Sequence, residues 1–160
     1  MARSGSVGRT KLIPTEKTRA PLVFQSRVRA EPRVVFDMFF RQPERWLCRE
    51  ANITLQPGGR VRMCWADGCY EGRFVQCEPG RLARFSWAIS GIELPETMVV
   101  VHTDRGTRPD ETALELQHYG FGVGADWDAM YVGAARAWAS YLKNLRAVLE
   151  MGVDLREADE

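Results

Sequence analysis

One long segment near the end of the chain repeats apolar residues at intervals of three, four and seven. Between Asp126 and Met151 this stripe consists of Trp127, Tyr131, Ala134, Trp138, Tyr141, Leu142, Leu145 and Leu149. The spacing matches the 3.6-residue turn of an α-helix and predicts a helix with one apolar face. Asp126 is the expected N-cap. Because the segment follows a series of short strands, we expect this helix to lie against a curved antiparallel sheet.

The part of the chain before the sheet predicts one strand and two short helices. Residues 22 to 30 alternate between apolar and polar side chains, as a strand with one solvated face does. Pro32 suits the first turn of a helix that extends through Phe40. Pro43 begins a second short helix, which carries Trp46.

Two tight turns predict the register of the central strands. A short strand from Ile53 to Leu55 comes first, and Asp67-Gly68 then favours a two-residue type I′ hairpin turn. The pairs predicted across that turn are Trp65 with Tyr70, Met63 with Gly72, and Val61 with Phe74. The second turn, Glu78-Pro79-Gly80-Arg81, pairs Phe74 with Phe85, Gly72 with Trp87, and Tyr70 with Ile89. In both registers one sheet face is apolar, and Gly72 either makes space for the Trp87 indole or marks a bulge.

Two further strands, Thr97 to Thr103 and Thr112 to His118, are predicted around a loop at residues 106 to 110. Leu114, Leu116 and His118 share one face of the last strand. For residues 98 to 101 both faces are apolar, so the pattern does not select the buried one. A glycine-rich stretch then leads into the long helix.

Composition indicates one globular domain with no strong charge preference. The chain has 160 residues, 45% of them hydrophobic and 27% charged, with a net charge of +1. This balance gives no argument for a nucleic-acid partner, and no run approaches the roughly 20 apolar residues of a membrane span. We expect a basic tail at residues 1–20, a single domain at residues 21–156 and an acidic tail at residues 157–160. Without a secretory signal pattern, the expected location is cytoplasmic.

The four cysteines do not form CxxC pairs. Cys48, Cys64, Cys69 and Cys77 stand alone, and with two histidines in the chain no zinc-site spacing is visible. In the predicted hairpin register Cys64 and Cys69 are diagonal neighbours, which is poor geometry for a bridge. We therefore expect free thiols, a reducing compartment, and no metal or cofactor.

Several stretches resemble a known family. They are Val34-Val35-Phe36-Asp37, Pro57-Gly58-Gly59-Arg60, Gly72-Arg73-Phe74-Val75, Glu78-Pro79-Gly80-Arg81-Leu82 with Phe85 and Trp87, residues 112–118, Trp138 with Leu142, Leu145 and Leu149, and residues 152–156. From about Val23 to Arg156 the chain is similar to bacterial proteins related to the C-terminal domain of the heat-shock protein 90 ATPase activator. These belong to the START-like (SRPBCC) superfamily, which also contains birch-pollen-allergen-type proteins and polyketide cyclases. The resemblance implies an α+β helix-grip fold, in which about six or seven antiparallel strands wrap around a long C-terminal helix.

Most residues of acid-base or nucleophilic type have ordinary structural interpretations. His118 has the inward parity of the last strand, and we expect it to be hydrogen-bonded within the wall, with a role in catalysis as the alternative. His102 is expected to face solvent, far along the sheet from His118, so the two do not form a dyad. Tyr70, like the other tyrosines, offers apolar bulk with a hydroxyl that could orient a ligand. No nucleophile with a neighbouring base is recognisable.

The inner wall itself is the candidate site. Its predicted residues are Val61, Met63, Trp65, Tyr70, Phe74, Phe85, Trp87, Leu114, Leu116 and His118 of the sheet, with Met130, Tyr131, Ala134, Trp138 and Leu142 of the helix. An apolar pocket with few polar groups is typical of a site for a small hydrophobic or aromatic ligand, such as a lipid or a polyketide-like molecule. The alternatives are a solid core, a cyclase- or hydrolase-type enzyme using the same cavity, and a chaperone-associated protein-binding module. The expected partner is a small apolar molecule. The sequence does not decide whether the protein forms a homodimer, and a chaperone partner is not expected.

Overall fold

A seven-stranded antiparallel sheet and a long C-terminal helix make up most of the structure. The computed structural model describes residues 18–156. The elements in chain order are β1 (Leu22–Val28), α1 (Pro32–Arg41), a 3₁₀ turn (Pro43–Arg45), β2 (Glu50–Ile53), β3 (Arg60–Trp65), β4 (Gly68–Glu78), β5 (Leu82–Ile89), β6 (Thr97–Arg105), β7 (Thr112–Tyr119) and α2 (Ala125–Met151). The sheet order is β1-β7-β6-β5-β4-β3-β2, with every neighbouring pair antiparallel. The predicted helix-grip fold is confirmed.

Several predicted element boundaries are wrong. β1 ends at Val28 and not at Ala30, and the second short helix is a 3₁₀ turn that ends at Arg45, before Trp46. The strand expected at Ile53 to Leu55 is Glu50–Ile53, because the chain already bends toward the following turn after Ile53. The N-cap of α2 is Gly124, and Asp126 lies inside the first helical turn. Gly124 adopts a φ of 114°, a conformation open to glycine but rarely to other residues, and this allows the helix to begin directly after it.

The register of the hairpin between β3 and β4 differs from the prediction by two residues. Trp65 pairs with Gly68, Met63 with Tyr70, and Val61 with Gly72. The turn positions are therefore Ala66 and Asp67, and Gly68 is the first residue of β4. Because side chains alternate with a period of two, a two-residue shift leaves the same residues on the inner face.

The corrected register also overturns the prediction that all four cysteines are free. Cys64 and Cys69 lie directly opposite each other, with Cα atoms 4.0 Å apart, and form a disulfide. Adjacent cross-strand positions bring the two Cβ atoms within bonding reach, which diagonal positions do not. Cys48 and Cys77 are buried free thiols, as expected. The cysteines therefore no longer argue for a reducing compartment, and the cytoplasmic location stays a prediction.

Two of the three pairs predicted between β4 and β5 are present, but Gly72 and Trp87 are not a ladder pair, and the explanation of Gly72 was wrong. Phe74 pairs with Phe85 and Tyr70 with Ile89, and the register shifts between Phe74 and Gln76, not at Gly72. A Cβ atom on Gly72 would lie 1.6 Å from the carbonyl oxygen of Ser86 in β5. Gly72 is therefore required by the close approach of two backbones, and it neither makes space for an indole nor marks the bulge.

The structure shows which face of β6 is buried, a question that the sequence pattern did not decide. Thr97, Val99, Val101 and Thr103 are buried, and the residues between them are partly exposed. His102 thus lies on the outer face, as predicted.

A solid core fills one end of the concave sheet. Phe39 and Phe40 of α1 are buried there, and the Phe40 ring packs edge-on against Phe85 at a centroid distance of 5.8 Å. Leu142 and Leu145 of α2 close this core from the other side. The interior at the opposite end, beside the first half of α2, is not filled.

The start of the described chain packs against this open end. Thr18 bridges to Gly122, and the Arg19 guanidinium forms an ion pair with Asp128. The Tyr131 hydroxyl donates a hydrogen bond to the carbonyl of Ala20 at 3.0 Å. Residues 18–20, which the sequence assigns to a basic tail, are therefore held by the domain. Most of that tail, residues 1–17, and the acidic tail at residues 157–160 lie outside the described residues.

Neither helix in residues 18–156 is long and apolar enough to cross a membrane. The same part of the chain contains no group of three or more His, Cys, Asp or Glu side chains placed to hold a metal ion.

Candidate ligand cavity

A cavity of about 680 Å³ lies between the sheet and the first half of α2. Its walls are lined by Trp65, Asp67, Tyr70, Trp87, Ile89, Ile92, Glu93, Leu94, Thr97, His118, Phe121, Asp126, Ala129, Met130, Gly133, Ala134, Ala137, Trp138 and Tyr141. Strands β3 to β7 contribute one side, α2 the other, and the loop between β5 and β6 borders the opening. This volume lies within the range of pockets that hold small organic molecules.

Side-chain size along α2 explains why only one end of the interior is open. Ala129, Gly133 and Ala137 are spaced four residues apart and present a face of small side chains to the cavity. The same four-residue series continues with Tyr141, which also lines the cavity, and with Leu145, which is buried in the core beside Leu142. The cavity therefore follows from a change in residue volume along one face of one helix.

The predicted wall residues divide between the cavity and the core. Those that line the cavity are Trp65, Tyr70, Trp87, His118, Met130, Ala134 and Trp138. Those that pack in the core beneath it are Val61, Met63, Phe74, Phe85, Leu114, Leu116 and Leu142. Tyr131 contacts the segment before β1 and the Phe121 ring instead. The inward parities of the predicted sheet residues agree with the structure, whereas the prediction that Tyr131 of α2 lines the cavity is wrong. For the sheet residues, depth along the sheet decides which of them reach the open space.

Sequence reasoning missed several lining residues. Phe121 follows β7 in the glycine-rich stretch, and Ile92 and Leu94 belong to the loop after β5. No periodicity marks loop residues, so the sequence offers no direct signal for these. The four-residue spacing of small residues on α2 is a signal that could have been used.

Aromatic rings form most of the inner wall. Tyr70 stacks on Trp87 with ring centroids 4.8 Å apart and planes inclined by 16°. Trp65 stacks on Tyr141 at 5.9 Å, and its indole N–H donates to the carbonyl of Leu47 at 2.9 Å. These contacts hold the rings in place without a ligand.

His118 is part of a directed chain of hydrogen bonds in the wall. The Trp138 Nε1–H donates to His118 Nδ1 at 2.9 Å, and an indole nitrogen can only donate. His118 Nδ1 therefore carries no proton, and His118 Nε2–H donates to Thr97 Oγ1 at 2.7 Å. The Thr97 hydroxyl in turn donates to the carbonyl of Trp87 at 3.0 Å. Every donor and acceptor in this chain is used, which confirms His118 as a hydrogen-bonded wall residue.

Burial keeps His118 neutral. The imidazole is 2% exposed, and its removal from water lowers its pKa from 6.5 to about 3. With both ring nitrogens engaged and no charge at neutral pH, His118 is poorly suited to general acid-base chemistry. His102 lies opposite Glu115 on the outer face of the sheet, so the two histidines do not share a site.

Stability is expected to fall on acidification because of His118. The unfolded chain binds a proton at this histidine near pH 6.5, whereas the folded chain does so only near pH 3. The stabilising effect is therefore complete above pH 6.5 and is lost as the pH falls, at up to about 1.4 kcal/mol per pH unit. Urea unfolding measured at pH 7 and pH 5 would show this loss. The slope should disappear in a His118→Gln variant and persist in His102→Gln; an unchanged slope in His118→Gln would refute the assignment.

The two tyrosines of the wall also stay neutral. Burial, followed by the nearby Asp67 carboxylate, raises the pKa of Tyr70. Burial raises the pKa of Tyr141 in the same way. Both side chains are therefore phenols over the whole physiological range and can donate as well as accept hydrogen bonds.

Solved structures with the same fold come from several sources. CalU16 from Micromonospora echinospora has a TM-score of 0.68 and 23% identity, over 89% of this chain and 83% of that chain. DynU16, a protein in the dynemicin biosynthetic locus, has a TM-score of 0.70 and 19% identity, over 82% of this chain and 48% of that chain. The Aha1 dimer from Colwellia psychrerythraea has a TM-score of 0.72 and 14% identity, over 84% of this chain and 98% of that chain. At these identities the likeness concerns the fold alone.

Sequence comparison adds the family. No curated protein matches the chain. The family profile described as Activator of Hsp90 ATPase homolog 1-like protein matches residues 29–150, from the end of β1 almost to the end of α2. The chain therefore belongs to the Activator of Hsp90 ATPase homolog 1-like family.

Proposed function

We propose that this domain binds a small hydrophobic or aromatic molecule in the cavity between the sheet and α2. The observation that carries the proposal is a space of about 680 Å³ walled by aromatic rings. A plain packed core would have no such space. His118, Thr97 and the indole N–H of Trp138 are already hydrogen-bonded to one another, so apolar contact is the main source of affinity.

The energetics of such a site are favourable. Burying about 200 Å² of apolar ligand surface at about 25 cal/mol per Å² contributes about 5 kcal/mol before the costs of association are subtracted. The stacked pairs Tyr70–Trp87 and Trp65–Tyr141 already occupy fixed positions, so little side-chain ordering is needed on binding. With both nitrogens of His118 engaged, orientation of the ligand falls mainly to the hydroxyls of Tyr70 and Tyr141.

Structural relatives support a binding role without identifying the ligand. DynU16 is a protein in the dynemicin biosynthetic locus, which fits a protein that handles a small organic molecule. The enzyme alternative loses its main candidate because His118 is neutral and fully hydrogen-bonded. The structurally similar Aha1 is a dimer, which supports a homodimer as one possible assembly of this chain. The absence of a chaperone partner stays a prediction.

Filling the cavity is expected to abolish binding. Ala134 lines the cavity at the middle of α2, and an Ala134→Phe variant places a ring where the ligand would lie. Titration with panels of lipids and aromatic compounds, followed by tryptophan fluorescence, should show at least tenfold weaker binding in this variant. Trp65, Trp87 and Trp138 in the wall supply the signal.

The matched control is Ala139→Phe. Ala139 lies on the same helix but is exposed and does not line the cavity, so its variant should bind like the unmodified protein. Thermal midpoints should rise with ligand in the unmodified protein and in the control alone. If no class of compound shifts fluorescence or thermal midpoint in the unmodified protein, the proposed function is wrong.

A further inference from the structure

The opening of the cavity carries three carboxylates from three different elements. Asp67 lies in the β3–β4 turn, Glu93 in the loop after β5, and Asp126 in the first turn of α2. All three are exposed, and within residues 18–156 none of them forms an ion pair. The lining residues include no lysine or arginine. Among residues 18–156, no ion pair therefore compensates the negative charge at the opening.

The interior behind these carboxylates is also suited to positive charge. Trp65, Tyr70, Trp87, Trp138 and Tyr141 line it, and the faces of such rings attract cations, with tryptophan the strongest. His118 is the one titratable nitrogen among the lining residues, and it accepts a hydrogen bond from Trp138 at Nδ1, which requires the neutral ring. No group of the wall thus supplies a positive charge that would repel a cation or hold an anion.

Building on the proposed function, we propose that the cavity prefers apolar ligands that bear a protonated amine. The apolar body lies among the inner rings, and the ammonium group lies at the opening, near Asp67, Glu93 and Asp126. Two independent features lead to this ligand class. The aromatic walls bind the apolar part of the ligand and do not repel a cation, and the carboxylates attract the ammonium group. Fatty-acid carboxylates of the same length are disfavoured, because they would bring a like charge to the opening.

Three probes with one alkyl chain test the preference directly. Dodecylamine, dodecanol and dodecanoate share an apolar body and differ in charge at neutral pH, where the amine is protonated. Binding is measured by tryptophan fluorescence below micelle-forming concentrations. The amine is expected to bind about tenfold more tightly than the alcohol, and the carboxylate more weakly than both. The advantage of the amine should shrink as salt is added, because exposed charges are screened.

A charge-neutralised variant shows whether the three carboxylates cause the preference. In Asp67→Asn/Glu93→Gln/Asp126→Asn the amine should lose most of its advantage, while dodecanol binds as before. The control is Glu96→Gln, because Glu96 is an exposed carboxylate of the same loop that does not line the cavity. Its variant should keep the full preference.

The outcomes separate this inference from the proposed function. If dodecanol binds and the amine binds no more tightly, the cation preference is wrong and the hydrophobic site stands. An amine preference that survives in the triple variant would also overturn the assignment to these carboxylates. If none of the three probes binds, the preference for apolar amines is wrong, and the proposed function is decided separately by the wider panels of lipids and aromatic compounds.

Discussion

A Gly72→Ala substitution is expected to lower the free energy of unfolding by at least about 3 kcal/mol. The added Cβ would lie 1.6 Å from the Ser86 carbonyl oxygen and 2.4 Å from its carbonyl carbon. Both are backbone atoms of β5, so no side-chain rotation relieves the clash, and two central strands must separate. Urea unfolding followed by circular dichroism would measure the loss, and a chain that fails to fold is the extreme form of the same result.

The same substitution at Gly133 is the matched control. Gly133 lies in α2, and a Cβ atom there meets no atom within 4 Å. Alanine is the better helix former, so Gly133→Ala should raise stability by about 0.5 to 1 kcal/mol. Equal unfolding midpoints for Gly72→Ala and the unmodified protein would show that β4 and β5 do not approach each other this closely.

An Asn144→Ala substitution is expected to cost about 3 kcal/mol of stability. The Asn144 side chain is buried in α2 and donates to the carbonyl of Trp46 at 2.8 Å and to Asp154 Oδ1 at 3.0 Å. Its oxygen accepts from the N–H of Leu155 at 2.6 Å. One amide thus connects the long helix to the segment after α1 and to residues 152–156. Alanine removes this partner from the carbonyl of Trp46 and the N–H of Leu155, whereas Asp154 keeps its hydrogen bonds from Arg156.

Two measurements separate this role from a general effect of mutating α2. Lys143→Ala changes an exposed neighbour and should alter stability by less than about 0.5 kcal/mol. The pKa of Asp154, held at about 2 mainly by hydrogen bonds from Arg156, should rise slightly when the Asn144 bond is removed. Nuclear magnetic resonance titration of the folded variant would detect that rise. A stability loss no larger than that of Lys143→Ala would contradict the proposed anchoring role.

Much of the fold is readable from the sequence because periodicity reports burial directly. The stripe on α2 and the alternation in β1 and β7 predict both the element and its inward face. Pairing register is harder, since Asp67-Gly68 and Ala66-Asp67 can each form a two-residue turn and both keep the inner face apolar. The structure realises the second turn, which places Cys64 beside Cys69. Local turn preference alone does not distinguish the two registers.

The sequence predicts which residues face the interior, but it does not predict that a cavity lies between them. Inward parity identifies Trp65, Trp87 and Trp138 as wall residues, yet it gives the same answer for Phe74 and Phe85 in the core. Whether a void exists depends on the sum of side-chain volumes brought together from distant segments. The hydrogen-bond chain through His118 has the same origin, because its members meet only after the sheet has curled around α2.

The disulfide between Cys64 and Cys69 adds a covalent cross-link at the entrance of the cavity. Cys64 and Cys69, with a sequence separation of 5, enclose the turn that carries Asp67, and they directly precede the wall residues Trp65 and Tyr70, respectively. Closing so short a ring removes about 2 kcal/mol of chain entropy from the unfolded hairpin. The entrance is thus cross-linked covalently, whereas the inner wall is held by packing and hydrogen bonds. A thiol reductant would therefore loosen the β3–β4 turn at the entrance and leave the inner wall of the cavity intact.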